Sequence, residues 1–181
     1  MPYGIEGSLI RLAPVDIDRL APLCTRWLND PEVIATLGVG GRPLTLGDER
    51  SYFESVLKND REVIWQIERL SDNEPIGVSS IHMIDLISRT CTTGSFIGPK
   101  AARGQGFGSE AVVLRARFAF EVLGIRLIRT SYLDGNIASR RMQEKAGAFE
   151  IGRWPGRFYK NGEWRDEVLM ALTPESFSKH L

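Results

Sequence analysis

The feature that most constrains this chain is a run of three alternating glycines, Gly104, Gly106 and Gly108, between a strand-like segment and a segment with helical spacing. Glycine lets the backbone approach a ligand closely and turn its N–H groups inward. A helix that begins there adds unpaired N–H donors and a partial positive charge, which suits a phosphate or pyrophosphate. The run predicts a strand–turn–helix unit, either with an anion site at the turn or as a plain connection without a ligand.

The spacing of these glycines excludes the two common nucleotide motifs. The dinucleotide fingerprint G-x-G-x-x-G would need a third glycine where Ser109 stands. A P-loop would need four residues between its glycines, followed by Gly-Lys-Ser or Gly-Lys-Thr, and the segment lacks both. Arg103, just before the run, adds a cation for a charge-assisted contact with an anion.

Hydrophobic spacing on both sides of the glycine run predicts a mixed α+β domain. Asp16 is expected to cap a first helix, and Asn29-Asp30-Pro31 to end it, because proline disfavours helical angles in the residue before it. Helices are predicted over residues 17–28, after Thr45, over 109–123 and over 140–146, and strands over 8–12, 63–68, 76–84, 92–97, 125–132, 149–152 and 168–172. No linker or repeat interrupts the order, so residues 1–181 are expected to form one domain.

Composition narrows the class of partner. Lys and Arg total 23 and Asp and Glu total 23, so the chain has no general charge that would attract nucleic acid or an anionic membrane. No run approaches the roughly 18 apolar residues of a membrane-spanning helix. The two cysteines, Cys24 and Cys91, suit a reducing compartment, and we expect a cytoplasmic protein. Together with His82 and His180 they have no metal-ligand spacing, so no metal is expected.

The glycine turn and its surroundings resemble the GNAT superfamily of N-acetyltransferases. Arg103-x-x-Gly106-x-Gly108, between a strand and a helix, resembles the acyl-CoA pyrophosphate loop of that superfamily. The next motif of the superfamily is resembled by Asn136-Ile137-Ala138-Ser139 followed by Glu144-Lys145-Ala146-Gly147-Ala148. Three further segments resemble the RimJ/RimL-like branch: Trp27-Leu28-Asn29-Asp30-Pro31-Glu32-Val33, Pro75-Ile76-Gly77 and Gly162-Glu163-Trp164-Arg165-Asp166. The resemblance extends from about Leu9 to Leu172.

The resemblance implies the GNAT fold, a mixed, mostly antiparallel sheet with a splayed central strand pair flanked by helices. It also implies acetyl-CoA as the cosubstrate. Asn136 and Ser139 would be the catalytic residues, near pantetheine and the thioester, although Asn136 could simply form a turn and Ser139 could simply cap a helix. The residues implied to bind acetyl-CoA are Ser95, Phe96, Ile97, Arg103, Gly104, Gln105, Gly106, Phe107, Gly108, Ser109, Asn136 and Ser139.

The implied reaction is direct transfer of an acetyl group to a primary amine, without an acyl-enzyme. The acceptor would be a protein N-terminal α-amine, a polyamine or an amine-bearing small molecule, and the resemblance favours a peptide N-terminus. The alternative is a catalytically silent acetyl-CoA-binding regulatory module. Two departures from the family pattern keep that alternative open. Gln143 stands where many members carry a tyrosine that protonates the departing CoA thiolate, and Thr92 stands where relatives often carry a glutamate that acts as the base.

Three further features remain open at the level of sequence. The general base is unassigned, with Asp30, Glu32, Asp48 and Glu49 as candidates. A nucleophilic pair of Cys91 and His82 would need their two strands to be neighbours, and a buried, inert cysteine is the more common outcome. The basic and aromatic stretch at residues 153–159 predicts a β-hairpin near the acceptor site or a homodimer contact, in preference to a nucleic-acid surface.

Overall fold

The computed structural model describes residues 4–38 and 42–178, and its eight strands form a single sheet. The strands are β1 (Ile5–Glu6), β2 (Ile10–Pro14), β3 (Val63–Arg69), β4 (Glu74–Asp85), β5 (Thr90–Ile97), β6 (Leu127–Leu133), β7 (Phe149–Lys160) and β8 (Glu163–Leu172). Their order across the sheet is β1-β2-β3-β4-β5-β6-β8-β7. Every described pairing is antiparallel except that of β5 with β6, which is parallel. The predicted mixed, mostly antiparallel α+β sheet is confirmed.

Helices cover both faces of the sheet. They are α1 (Ile17–Leu28), α2 (Pro31–Ile34), α3 (Leu46–Leu57), α4 (Phe107–Arg117), α5 (Ile137–Lys145) and α6 (Pro174–Ser178). The side chains of Asp16 and Thr45 cap α1 and α3 as their positions in the sequence predict, since each accepts a hydrogen bond from a first-turn amide. Two hydrophobic clusters result, a large one beneath α4 and a smaller one beneath α1 and α3.

The predicted elements differ from the structure mainly after the glycine run. The helix expected over residues 109–123 begins earlier, at Phe107, and after Arg117 it widens into a π-helical turn, where the Leu123 amide bonds to the Phe118 carbonyl. The last two strands are much longer than predicted, because two bulges in the β7–β8 register accommodate a stretch containing Pro155 and Gly156. Proline is tolerated there because β7 is an edge strand.

The close packing of β4 on β5 predicts a large stability effect at Gly77. A Cβ atom on Gly77 would lie far inside van der Waals contact with the Phe96 carbonyl oxygen, a backbone atom that cannot rotate away. We expect Gly77→Ala to destabilise the protein by about 1–3 kcal/mol, which lowers the melting midpoint by several degrees. The matched control is Gly152→Ala in β7, where a Cβ would meet nothing within 4 Å. Equal midpoints for the two variants in thermal unfolding would contradict this account.

Candidate active site

The sheet opens at its centre, where β5 and β6 separate. The two strands pair only from Thr90 to Thr92 on β5 and from Leu127 to Arg129 on β6. One residue further on, the Thr130 hydroxyl still donates to the Thr93 carbonyl across 3.4 Å. Beyond that point β5 stays paired with β4, and β6 with β8, so a gap flanked by two strand edges lies between them.

Alternation along β5 determines which backbone groups face this gap. The Gly98 amide donates to Ile76 on the β4 side (2.9 Å), and the Phe96 carbonyl packs directly on Gly77. The backbones of Ser95 and Ile97 therefore face the gap. The structure thus directs two of the three predicted pantetheine partners, Ser95 and Ile97, into the gap, whereas the Phe96 backbone faces β4 and its ring packs edge-on against Trp27, 6.2 Å between centroids.

The glycine turn lies where β5 leads into α4. Gly104 (φ +76°) and Gly106 (φ +91°) both adopt a left-handed backbone, which other residues rarely adopt, and both are exposed. The first helical hydrogen bond runs from the Glu110 amide to the Gly106 carbonyl (3.0 Å). The amides of Phe107, Gly108 and Ser109 consequently have no partner within the helix, as expected for a first turn. The predicted strand–turn–helix unit is therefore present, and its first-turn amides have the geometry that anion-binding helix N-termini use.

The side chains around the turn hold it in place. The Arg103 guanidinium donates to the Gly98 carbonyl (2.8 Å), and the Gln105 amide donates to the Ala101 carbonyl. Phe107 is buried in the large cluster. The Glu110 carboxylate accepts hydrogen bonds from three backbone amides, those of Ser8 (2.7 Å), Leu9 (2.8 Å) and Ile10 (2.9 Å), so it links the segment that leads into β2 to the first turn of α4. The turn is therefore pre-formed.

Asn136 and Ser139 lie on the β6 side of the gap, at the N-terminus of α5. The side-chain Oδ1 of Asn136 caps α5 by accepting a hydrogen bond from the Ser139 backbone amide (3.0 Å), and Nδ2 of the same side chain donates to the Thr36 backbone carbonyl (3.0 Å). Asn136, Thr36, Lys160 and Arg165 also line a cavity of 140 Å³. The residue that caps α5 is thus Asn136 and not Ser139, and this role is compatible with a further contact to a ligand.

Gln143, at the position of the missing tyrosine, holds Ser139. Its side chain is only 4% exposed, and its Nε2 donates both to the Ser131 carbonyl (3.0 Å) and to the Ser139 hydroxyl oxygen (3.1 Å). Because the Ser139 oxygen accepts this bond, its own proton remains available to another acceptor. The Gln143 Oε1 is buried and has no hydrogen-bond partner within the part of the chain that the structure describes.

A buried arginine that the sequence reasoning missed lies beneath the root of the gap. Arg115 of α4 is 4% exposed, and its guanidinium donates to the Ser79 hydroxyl (2.9 Å) and the Gly94 carbonyl (2.7 Å). Among the described residues it forms no ion pair. Burial lowers the pKa of Arg115 to about 10, so it remains cationic at neutral pH. Its position on an otherwise apolar helix face, among buried residues 111, 112, 114 and 116, is the one signal in the sequence.

Three of the four carboxylates proposed as bases serve local structure. Asp30 caps α2, and Glu32 pairs with Lys100 (3.0 Å). Asp48 forms the capping box of α3, and the hydrogen bonds it accepts from Thr45 lower its pKa to about 2. Glu49 differs, because it is 5% exposed, its carboxylate has no hydrogen-bond partner among the described residues, and burial and the neighbouring Asp48 raise its pKa.

The proposed pair of Cys91 and His82 is not formed. Cys91 is fully buried in the large cluster, where burial raises the pKa of its thiol to about 11, and the His82 ring contacts Glu62 and Ser80 instead. Residues 4–38 and 42–178 contain no group of three or more potential metal ligands, and His180 lies outside the described residues. Within the same ranges, no helix has the length and apolar character needed to cross a membrane.

Comparison with known proteins gives one consistent family. The model of the acetyltransferase (GNAT) domain matches residues 10–148. The chain is 30% identical over 173 residues to a Bacillus subtilis protein named "Putative ribosomal N-acetyltransferase YdaF", an alignment that covers 92% of this chain and 91% of that protein.

Two solved structures show the same fold at lower identity. The spermidine N-acetyltransferase of Vibrio cholerae, in complex with CoA and spermine, superposes with a TM-score of 0.85 at 16% identity, covering 95% of this chain and 99% of that one. RimJ of Mycobacterium smegmatis, in complex with CoA-disulfide, superposes with a TM-score of 0.81 at 20% identity, covering 96% of this chain and 84% of that one.

Proposed function

The chain belongs to the GNAT family of acetyltransferases, of the RimJ/RimL type, and we propose that it transfers the acetyl group of acetyl-CoA to the α-amine of a peptide N-terminus. The observation that carries this proposal is the gap between β5 and β6, which leads directly to the glycine turn at the start of α4. A gap with free strand edges beside an anion-binding turn matches a long cosubstrate with a pyrophosphate at one end and amide groups along its arm.

The two ends of the site would hold different parts of acetyl-CoA. The free amides of Phe107, Gly108 and Ser109, together with the exposed Gly104 and Gly106, suit the pyrophosphate. Arg103 and Gln105 support this turn from behind through their bonds to backbone carbonyls. Along β5, the backbones of Ser95 and Ile97 would pair with the pantetheine arm as an added strand would.

The buried Arg115 would strengthen the donor that faces the thioester. In a trans peptide the carbonyl of one residue and the amide of the next point in opposite directions. The Gly94 carbonyl accepts from the Arg115 cation, so the Ser95 amide of the same peptide unit points away from Arg115 and into the gap. A cation on the carbonyl polarises that N–H, because hydrogen bonds in a chain strengthen one another. The Ser95 amide would then stabilise the oxyanion of the tetrahedral intermediate.

Asn136 and Ser139 would act at the other edge of the gap. Gln143 fixes the Ser139 oxygen as an acceptor, and this leaves the Ser139 proton for the sulfur of departing CoA. Asn136, whose side chain links α5 to Thr36, would hold the loop after α2 against the site. The two side chains would thus contact the cosubstrate, and that of Asn136 would combine this contact with capping.

Specific observations favour two of the three predicted classes of acceptor. A peptide α-amine is favoured because it is partly neutral at pH 7, unlike a lysine or polyamine amine, and because the relative YdaF is named as a ribosomal N-acetyltransferase. A polyamine is the second candidate, supported by the carboxylate of Glu49, which is nearly buried and has no partner among the described residues.

Two free, buried cysteines fit the expectation that the reaction takes place in the cytoplasm.

A panel of acceptors tests the proposal. We expect release of CoA with peptides that carry a free N-terminus, at a kcat/KM at least ten times that for spermidine, and no reaction with the same peptides acetylated at the N-terminus. Faster turnover of spermidine, lost in Glu49→Gln, would identify the second candidate instead. Binding of acetyl-CoA without turnover on any amine would support the silent regulatory module and contradict both.

A further inference from the structure

A chain of three polar side chains, Glu62, His82 and Ser80, lies on the face of the sheet beneath α1 and α3. The Glu62 carboxylate contacts Nδ1 of His82, and Nε2 of His82 lies 2.6 Å from the Ser80 hydroxyl. Ser80 and His82 are two residues apart on β4, so their side chains share one face of the sheet. Glu62 directly precedes β3, the strand next to β4, and its carboxylate holds the imidazole at Nδ1, the ring nitrogen that does not contact Ser80.

The partners of the imidazole define which nitrogen carries a proton. A carboxylate only accepts hydrogen bonds, so Nδ1 of His82 donates to Glu62. In the neutral ring, Nε2 therefore accepts the proton of the Ser80 hydroxyl. In the charged ring, Nε2 donates to the Ser80 oxygen, and the hydroxyl turns to the Gly94 carbonyl, 3.2 Å away. Both protonation states leave every polar atom of the chain with a partner.

The hydrogen-bonded series Glu62–His82–Ser80 ends beside the gap between β5 and β6. In the register of β4 with β5, Ser80 faces Gly94 and His82 faces Thr92. Ser80 is 5% exposed, and a Cβ on Gly94 would lie 3.8 Å from its oxygen and would meet nothing closer, so the absent side chain leaves space beside the hydroxyl on the side of β5. Gly94 directly precedes Ser95, whose amide faces the gap. The side chain of His82 is 29% exposed and that of Glu62 is 18% exposed.

We propose that His82, acting through the Ser80 hydroxyl, accepts the proton that the acceptor amine loses, and that Glu62 positions the ring. This inference rests on the proposed acetyl transfer and names the base that the sequence left unassigned. The ammonium form of the acceptor gives a proton to the Ser80 oxygen while the Ser80 hydroxyl proton passes to Nε2 of His82. The neutral amine then forms the N–C bond to the thioester carbon. When the C–S bond breaks, its electron pair leaves on sulfur. The second proton that the nitrogen must lose reaches this sulfur through the Ser139 hydroxyl or a water, so that Ser139 recovers the proton it gives and the products are a neutral amide and the CoA thiol.

Charged and polar groups from three elements face the region around His82. Tyr52 of α3 lies within electrostatic reach of Glu62, Glu49 and Cys24, and these groups together with burial raise its pKa to about 12. The carboxylate of Glu49 faces the same region from α3, the buried thiol of Cys24 from α1, and the neutral hydroxyl of Thr92 from β5. The imidazole thus lies in surroundings that include two carboxylates, those of Glu62 and Glu49.

The test is the pH dependence of acetyl transfer by His82→Gln, measured as kcat/KM for the best peptide acceptor. A general base must be unprotonated to accept a proton, so the wild-type profile should fall on its acidic side. We expect His82→Gln to lose about 100-fold at pH 7, the usual scale of general base catalysis, and to lose the acidic limb. The deficit should shrink above pH 9, where the acceptor is already neutral. The KM for acetyl-CoA and the thermal shift that it produces should not change.

Three further variants separate the roles. Ser80→Ala should reproduce most of the loss, because the relay loses its middle oxygen. Glu62→Gln should retain more activity than His82→Gln, since the ring keeps its nitrogen base and loses only the carboxylate that positions it. Thr92→Val is the matched control. The Thr92 hydroxyl lies beside His82 but donates to the His82 backbone carbonyl (3.3 Å), so it takes no part in the hydrogen bonds that join Glu62, His82 and Ser80. It should retain wild-type rates.

The outcomes distinguish this inference from the proposed function. An active wild type with a His82→Gln variant of equal rate and unchanged acidic limb would overturn the relay and leave the acetyl transfer intact. A loss that is equal at every pH and accompanied by a lower melting midpoint would also overturn it, because that pattern indicates only a structural role. A wild type without turnover on any amine would contradict both proposals.

Discussion

Gly106→Glu is expected to abolish the stabilisation of this protein by acetyl-CoA. A ligand at 100 times its dissociation constant adds about 2.7 kcal/mol to the free energy of unfolding, which raises the melting midpoint by several degrees. The wild type should show this shift with acetyl-CoA and with CoA, and not with ATP or NAD. In Gly106→Glu, a carboxylate would stand among the amides of the turn, where it repels the pyrophosphate and occupies its space. Affinity should fall more than 100-fold.

Gly106→Ala is the matched control for this variant. Any side chain at φ +91° strains the backbone, at about 1–3 kcal/mol, so both variants should melt earlier than the wild type without ligand. A Cβ there would lie 3.4 Å from Leu9, which is close but tolerable. Only the glutamate adds charge, so the alanine variant should keep most of its acetyl-CoA shift. Equal shifts in the two variants, or a full shift in Gly106→Glu, would contradict an anion site at this turn.

Local signals in the sequence were sufficient for most of the fold. Asp16 and Thr45 begin α1 and α3 as predicted, and Gly124 and Gly147 adopt the left-handed backbone expected after helices. The hairpin turn of Asn161 and Gly162 is also present, with φ of 52° and 85°. The length of β7 could not be read locally, because its bulges depend on pairing with β8, a contact formed only in the folded sheet.

The candidate site divides in the same way. The glycine turn and the motif at Asn136 are contiguous in sequence, so a resemblance could identify them. The direction of the Phe96 backbone and the position of Arg115 depend on the β4–β5 register and on how α4 packs beneath it. The relay joins Glu62 to two residues of another strand, about 20 positions away. Such arrangements are set by tertiary packing, and no local spacing indicates them.

The second large effect is expected from Arg115→Met, which should lower kcat by about 10- to 100-fold. Loss of a whole oxyanion donor reduces kcat by about 10²–10³-fold, and here the Ser95 amide stays in place but loses the cation that polarises it. The KM for acetyl-CoA should change little, since the pyrophosphate turn and the Ile97 backbone are untouched. Because the pKa of Arg115 is about 10, the ratio of the two kcat values should be constant between pH 6 and 8.5.

Stability measurements separate this catalytic effect from damage to the core. A buried cation without a carboxylate pays a desolvation penalty, so an apolar side chain of similar length offsets part of the loss of its two hydrogen bonds. Arg115→Met should therefore melt within a few degrees of the wild type, and Arg117→Met, an exposed position on the same helix, should match the wild type in both rate and midpoint. Unchanged kcat in a folded Arg115→Met would show that the buried charge serves only to link α4 to the sheet, and that the Ser95 amide needs no cation behind it to stabilise the intermediate.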